Sequence, residues 1–259
     1  MPLLQSQRLK PFFPIISFMV LLCVWQFFAW RQKGVTLPYP SQVWDQACYM
    51  MTHKLGSRNL LEHVLFSMRR VFSGFLFAIS LGVPLGLSRG WFPLVDKIVK
   101  PIFELLRPIP PLAWIPLAIL WLTVGEGPMI MICFVTSFIY STLTSYTGMR
   151  YVDPLLLDAA RAFGATRTQQ FFSVALPSSL PSVFTGLQQG VSSSWMAVVA
   201  AELVGAQEGV GFIIILSLDM AKPDMAIVGM IIIGAIGATL AAGLRAIERR
   251  ISPWRRHLV

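Results

Sequence analysis

Charge is scarce in this chain. Only 13% of its 259 residues are Asp, Glu, Lys or Arg, against 55% hydrophobic, and the mean hydropathy is +0.66. A soluble domain carries roughly 25% charged residues, so an aqueous globule is excluded and a lipid setting is indicated. Cysteine is almost absent too. Cys23, Cys48 and Cys133 are too few and too scattered for a disulfide framework or a metal site, and are expected to be structural. The three histidines, His53, His63 and His257, show no metal spacing. None falls inside an expected span, which leaves an intramembrane hydrolase without a base; His53 and His63 read as interfacial. No Gly-rich loop ending in Lys-Ser or Lys-Thr occurs, so any ATP must be hydrolysed by another subunit. Acidic residues number 12 against 21 basic, a net charge of +9. That excess lies at the ends of apolar runs and forms no aromatic-basic stripe, which argues against nucleic acid and for membrane topology.

What is there is a series of apolar stretches. Phe12 to Trp30 follows Arg8 and Lys10, lacks a small-residue cleavage site and reads as a retained first span. Arg31 to about Arg70 is polar and reads as an extracytoplasmic segment with short interfacial helices. Val71 to Leu87 is the second span, and its Gly82-x-x-x-Gly86 spacing suits close packing within the chain. A loop through Arg89, Lys97 and Lys100 leads to a third span that holds Pro108, Pro110, Pro111 and Pro116. Each proline removes a donor and clashes with the preceding turn, so this span is expected to be kinked or partly unwound. Broken backbone at membrane depth lines a cavity or is buried in protein, which makes this region the best pointer to a translocation path. Pro128 to Thr147, Pro181 to Val204 and Asp224 to Ala246 complete six spans, with Gly205, Gly209 and Gly211 in an external loop and a basic tail after the last. The expected division is residues 1–70, a core at 71–248 and a tail at 249–259.

Between the fourth and fifth spans lies a segment of another kind, DPLLLDAARAFGATRTQQFFSVALP, residues 153–177. Asp153 can cap orphan amides while Pro154 takes the first helical position. Gly164 suits a left-handed C′ position, and Thr166 with Gln169 can form a capping box for a second short helix. Ten residues reach roughly 15 Å, about half of a hydrocarbon core. The expectation is therefore a helix-turn-helix that stands out from the membrane surface to engage another protein.

Asp158-Ala159-Ala160, then three residues to Gly164, then nine to Val174-Ala175-Leu176-Pro177, resembles the EAA loop of bacterial ABC importer permeases, E-A-A-x3-G-x9-I-x-L-P. Spacing agrees throughout, with Asp158 in place of Glu and Val174 in place of Ile. HVLFSMRRVFSGF, RPIPPLAWIPLAILWLTVGEG and WMAVVAAELVGAQEGVGF are similar to the branch importing nitrate, alkanesulfonates, taurine, bicarbonate and related small acids. The resemblance implies an all-α integral membrane protein with about six spans, acting as the permease subunit of an ATP-driven importer that works by alternating access. It implies a second copy of the permease, two ATPase subunits that bind ATP and Mg, and an external substrate-binding protein; the chain itself needs no cofactor and is not an enzyme. Asp158, Ala159, Ala160, Arg161, Phe163, Gly164, Leu176 and Pro177 become the candidate contact with the ATPase.

Orientation follows from charge. Placing the start, the loop after the second span, the hairpin and the tail in the cytoplasm puts fourteen of the 21 basic residues inside. Both termini are then cytoplasmic, and the resemblance implies that the membrane is a bacterial inner membrane. Candidate pathway residues are Arg107, Pro110 and Trp114 at the proline break and Gln188, Ser192, Trp195 and Glu202 in the fifth span. Arg107 stands three residues from Glu104, and pairing with it or snorkelling at the interface both remain open. The polar residues of the fifth span can equally be interhelical hydrogen-bond glue. A secondary transporter or channel acting alone is the rival reading; it needs buried ionisable residues and no docking hairpin.

Overall fold

The computed structural model describes residues 12–251, and every regular element in them is helical. In chain order these are α1 (Phe12–Arg31), α2 (Pro40–Thr52), α3 (Leu60–Trp91), α4 (Pro93–Leu106) and, after a 3₁₀ turn at Pro111–Trp114, α5 (Ile115–Leu122). Then come α6 (Glu126–Arg150), α7 (Pro154–Ala162), α8 (Arg167–Gln169), α9 (Leu176–Gly205), α10 (Val210–Asp219) and α11 (Pro223–Ile251). The helices α3, α6 and α11 are long and apolar enough to cross a bilayer outright. Two more candidate crossings are broken: α4 with α5 bends by 85°, and α8–α9 with α10 bends by 41°. The shorter apolar helix Ile15–Arg31 of α1 stands where the first of the six spans is expected.

The described residues form two compact units, residues 12–61 with Ile213–Ile231, and Glu62–Phe212 with residues 232–251. In the first, the indole Nε1 of Trp25 donates to the Pro38 carbonyl at 3.1 Å, which fixes the turn leading to α2. The second unit holds the main core, where Val71, Met129, Ile132, Val191, Trp195 and Val198 pack together. Small residues make that packing close. A Cβ placed on Gly82 would overlap the Ser141 hydroxyl, and one on Gly86 would overlap the Thr142 carbonyl, so α3 meets α6 backbone to side chain at the first and backbone to backbone at the second. Gly186 of α9 meets Thr144 in the same manner. Ser194 continues this seam, donating to the Cys133 carbonyl at 2.9 Å and lying 2.6 Å from the Ser137 hydroxyl.

Several sequence expectations change here. The second span starts at Leu60, eleven residues before Val71, because His63, Ser67 and Arg70 lie at i, i+4 and i+7 on one helical face, all buried, while Leu61 and Leu65 point outward. The polarity of that stretch belongs to a paired interior face and not to a loop. His63 is accordingly fully buried and not interfacial. Arg89 lies within α3 and Lys97 and Lys100 within α4, where a loop was expected. Leu94, Ile98, Ile102 and Leu105 recur at helical spacing along α4 and are exposed, so this is an amphipathic helix. The second element of the hairpin is not separate either. From α8 the chain runs through a π-helical turn, Gln170–Ala175, into α9 without a break, and Pro177 falls in the first turn of α9 where a missing N–H is harmless. Gly211 is inside α10, which leaves only residues 206–209 as the connecting loop. Arg8, Lys10, Arg255, Arg256 and His257 lie outside the described residues.

Candidate functional site

The α7 hairpin is built almost wholly by local signals. Asp153 Oδ1 accepts from the Leu155 N–H at 2.9 Å, and Pro154 opens the helix. At the other end Gly164 has φ +80°, with its N–H on the Arg161 carbonyl at 2.9 Å and the next N–H, of Ala165, on the Ala160 carbonyl at 3.0 Å. Those two bonds are the Schellman pattern, which satisfies the last carbonyls of a helix and requires the left-handed residue that glycine supplies. Thr166 and Gln169 then form the reciprocal capping box, and Gln170 Nε2 closes the turn on the Ala165 carbonyl at 2.8 Å. Leu157 and Phe171 add packing from a distance, against the cluster of Leu87, Met149 and Val152.

What the hairpin presents is its outer surface. Phe163 is 92% exposed; Asp158, Ala159, Arg161 and Gly164 are exposed beside it, and Ala160 is half-buried. Arg161 pairs with Asp158 at 2.9 Å along the same face. An apolar ring held out at the tip of a rigid turn, next to two alanines, is a shape for another protein to cover. Behind it, Trp91, Leu157, Arg161, Arg167 and Gln170 line a cleft of about 380 Å³. Leu176 packs inward and starts α9 with Pro177, so they join the hairpin to the bundle.

The candidate pathway residues scatter. Arg107 faces Glu104 at 3.8 Å with both side chains nearly half exposed, at the break between α4 and the 3₁₀ turn. Pro110 is exposed in that break. Trp114 follows it, and its buried indole N–H has no hydrogen-bond partner among the described residues. Trp195 is core, 2% exposed, its Nε1 donating to the Ile233 carbonyl at 2.9 Å. Gln188 and Ser192 are half-buried on one cleft with Gln189 and Ser193. Glu202 is elsewhere, fully enclosed by protein.

Residues 74–257 match the family described as binding-protein-dependent transport system inner membrane component. The chain belongs to this family. The taurine transport system permease protein TauC of Escherichia coli is 33% identical over 97% of this permease and 95% of its own length. The nitrate import permease protein NrtB of a Synechocystis strain is 30% identical over 93% of this permease and 89% of its own length. Among solved structures, the MetNI methionine ABC transporter in inward-facing conformations matches with a TM-score of 0.65 at 19% identity, over 74% of this permease and 95% of that chain. That likeness concerns fold, and it is the fold expected: an all-α importer permease. A transporter working without ATP finds no support among these relatives.

The most strongly built site in the permease joins Glu202, expected on the pathway, to Arg70, which is not among the candidate site residues of the sequence. Arg70, 3% exposed, places NH1 2.6 Å from Glu202 Oε1 and 2.7 Å from the Glu208 carbonyl, while its Nε and NH2 reach Glu126. Glu202 also accepts from Ser67 Oγ at 2.7 Å and from the Gly211 N–H at 2.9 Å. Ser67 Oγ in turn accepts from the Val210 N–H at 2.9 Å, and His63 Nδ1 accepts from the Gly209 N–H at 3.0 Å. The cluster thus pins the loop between α9 and α10 to α3 and to the start of α6. With every oxygen of Glu202 occupied, it serves as a structural counter-charge in this conformation. The signal that could have found it was the i, i+4, i+7 spacing of His63, Ser67 and Arg70, which puts three polar groups on one face of an otherwise apolar helix.

Proposed function

We propose that this permease imports a small anionic solute of the nitrate, sulfonate, taurine or bicarbonate class across a bacterial inner membrane. It works as a homodimer bound to two ATPase subunits and served by an external substrate-binding protein. ATP and Mg reside on the ATPases, and the permease catalyses no reaction itself. Both termini and the hairpin of residues 153–177 face the cytoplasm; the first span and outer segment end before Leu60, where α3 opens a transport core that runs to about residue 248, and 249–259 form the cytoplasmic tail.

The observation that carries this reading is the exposed tip of α7 inside a chain whose family is a transport component. Phe163, at 92% exposed, fits a groove on the ATPase, with Ala159 and Ala160 allowing close approach and Asp158 and Arg161 supplying a polar rim. Gly164 holds the tip's geometry, and Leu176 with Pro177 passes movement into α9. Motion at the hairpin shifts the bundle between outward and inward access. The solute's class is supported by the taurine and nitrate names of the relatives. Along the path, Arg107, Pro110 and Trp114 border the proline break, and Gln188 and Ser192 supply polar groups inside the bundle; Trp195 and Glu202 shape the wall from behind.

Copurification tests the assembly. Solubilised from its membrane, the tagged permease should bring down an ATP-hydrolysing subunit in equal number; recovery as a lone oligomer defeats the proposal. Anion uptake into vesicles holding the whole complex tests the rest. Arg107→Gln should slow uptake, and full retention removes Arg107 from the pathway.

A further inference from the structure

Tyr140 of α6, Gln188, Gln189, Ser192 and Ser193 of α9, and Arg245 of α11 surround a cleft of about 430 Å³. Its chemistry differs from that of the seam immediately beside it. Ser137 and Ser194 are buried and spend their hydrogen bonds on each other and on backbone, which is packing. By contrast, the side chains of Tyr140, Gln189, Ser192 and Ser193 make no hydrogen bond to another described residue. Gln188 is held in place, its Nε2 donating to Glu248 Oε2 at 2.6 Å. No carboxylate lines the cleft itself.

Arg245 is the decisive member. Between Asp224 and Arg245, α11 carries no charged residue, and the helix is the most apolar of the long ones. Among the described residues Arg245 has no ion-pair partner. A cation at the end of such a helix is favourable when it faces water or an anion. A guanidinium beside hydroxyls and amides is a donor-rich, permanently positive site suited to an oxyanion. We infer that this cleft is where the anion rests inside the membrane, paired with Arg245 and hydrogen-bonded by Ser192, Ser193 and Tyr140. The inference rests on the importer reading and deepens it, placing the cationic anchor at Arg245.

Charge-selective labelling tests this without needing transport. In the complex purified with its ATPase subunits, Cys23 and Cys48, the exposed cysteines, are replaced by Ser, and Ser193→Cys places a thiol in the cleft. An anionic (sulfonatoethyl) thiosulfonate is compared with a cationic (trimethylammonioethyl) one. The ratio of anionic to cationic labelling rate should fall about tenfold with Arg245→Gln and be kept with Arg245→Lys. Taurine or nitrate at millimolar concentration should slow labelling only where the positive charge is present. A ratio unmoved by Arg245→Gln, equal protection without the charge, or a thiol that reacts with neither reagent overturns the inference. Loss of ATPase copurification from the parent complex would instead count against the importer reading, so the two failures are distinguishable.

Discussion

The helices α6 and α9 end in opposite chemistry. At one end, Glu126 of α6 and Glu202 of α9 meet Arg70; Arg70 and Glu202 are shut inside the protein with their hydrogen bonds complete, while Glu126 pairs from the half-exposed side. At the other, Arg150 and Pro177 flank a hairpin whose charged and aromatic side chains are held outward and which is stabilised by its own caps. The cluster joins elements distant in sequence and leaves little for a partner; the hairpin is shaped by its own caps, packs Leu157 and Phe171 toward Leu87, Trp91 and Met149, and leaves its tip exposed. Buried pairing is therefore concentrated at the first end and exposed surface at the second. Helices of 25 residues and more separate them by about 37 Å.

Arg70→Met breaks the comparison most severely. It leaves the Glu202 carboxylate buried without its counter-charge, and uncompensated burial of that kind costs about 3–5 kcal/mol. Thermal unfolding of the detergent-solubilised permease should show a large loss of stability. Adding Glu202→Gln should recover at least half of it, because the amide oxygen still accepts from Gly211. If Arg70→Met alone unfolds like the parent, the cluster is ornamental. Next in size is Gly186→Val. A side chain there would run into Thr144 on α6, and overpacking of a tight seam costs about 1–3 kcal/mol. The same unfolding assay reads it, and Gly234→Val, at a position where an added Cβ meets nothing within 4 Å, is its control.

These two positions also mark what the sequence made legible. The hairpin could be read residue by residue because Asp153, Pro154, Gly164, Thr166 and Gln169 act on backbone groups within six residues of themselves. Broken geometry at Pro108–Pro116 was legible for the same reason, since a proline's effect is local. Arg70 and Glu202 are 132 positions apart, and nothing in either neighbourhood names the other. The stretch before Val71 looked like loop because its polar residues were counted without regard to the helical face they share. The continuity of α8 with α9 was hidden by Pro177 and Pro181, which suggest a boundary; a π-helical turn before the first carries the chain through. In the sequence Arg245 is one more basic residue near a span end. Only the packing of α11 beside α9 turns it toward Gln188 and Ser192.

A smaller effect sharpens the hairpin side. Asp153→Ala removes the acceptor for the Leu155 N–H, and loss of such a cap costs about 1 kcal/mol of local helix stability. Because α7 is outside the main core, the cost should show as faster amide exchange in residues 155–162 and not as a lower unfolding temperature. Asp153→Asn should restore the protection, since its side-chain oxygen accepts the same bond. Equal exchange in the alanine variant means that α7 is held by contacts other than its cap.

The smallest effect on the fold and the sharpest on function belong to Phe163→Ala. The ring is almost wholly exposed and fills no core, so its removal should change stability by less than about 0.5 kcal/mol. If it is the anchor that an ATPase groove receives, truncation should weaken subunit association by about 2 kcal/mol, roughly thirtyfold in affinity. Uptake by the assembled complex should fall with it, while the free permease melts as before. Raising the ATPase concentration should then recover uptake in proportion to the complex re-formed, because the variant loses grip and not the bundle's capacity to move. An alanine variant that binds the ATPase as tightly as the parent assigns the interface to another face, and the exposed ring at the tip of α7 would need a different partner.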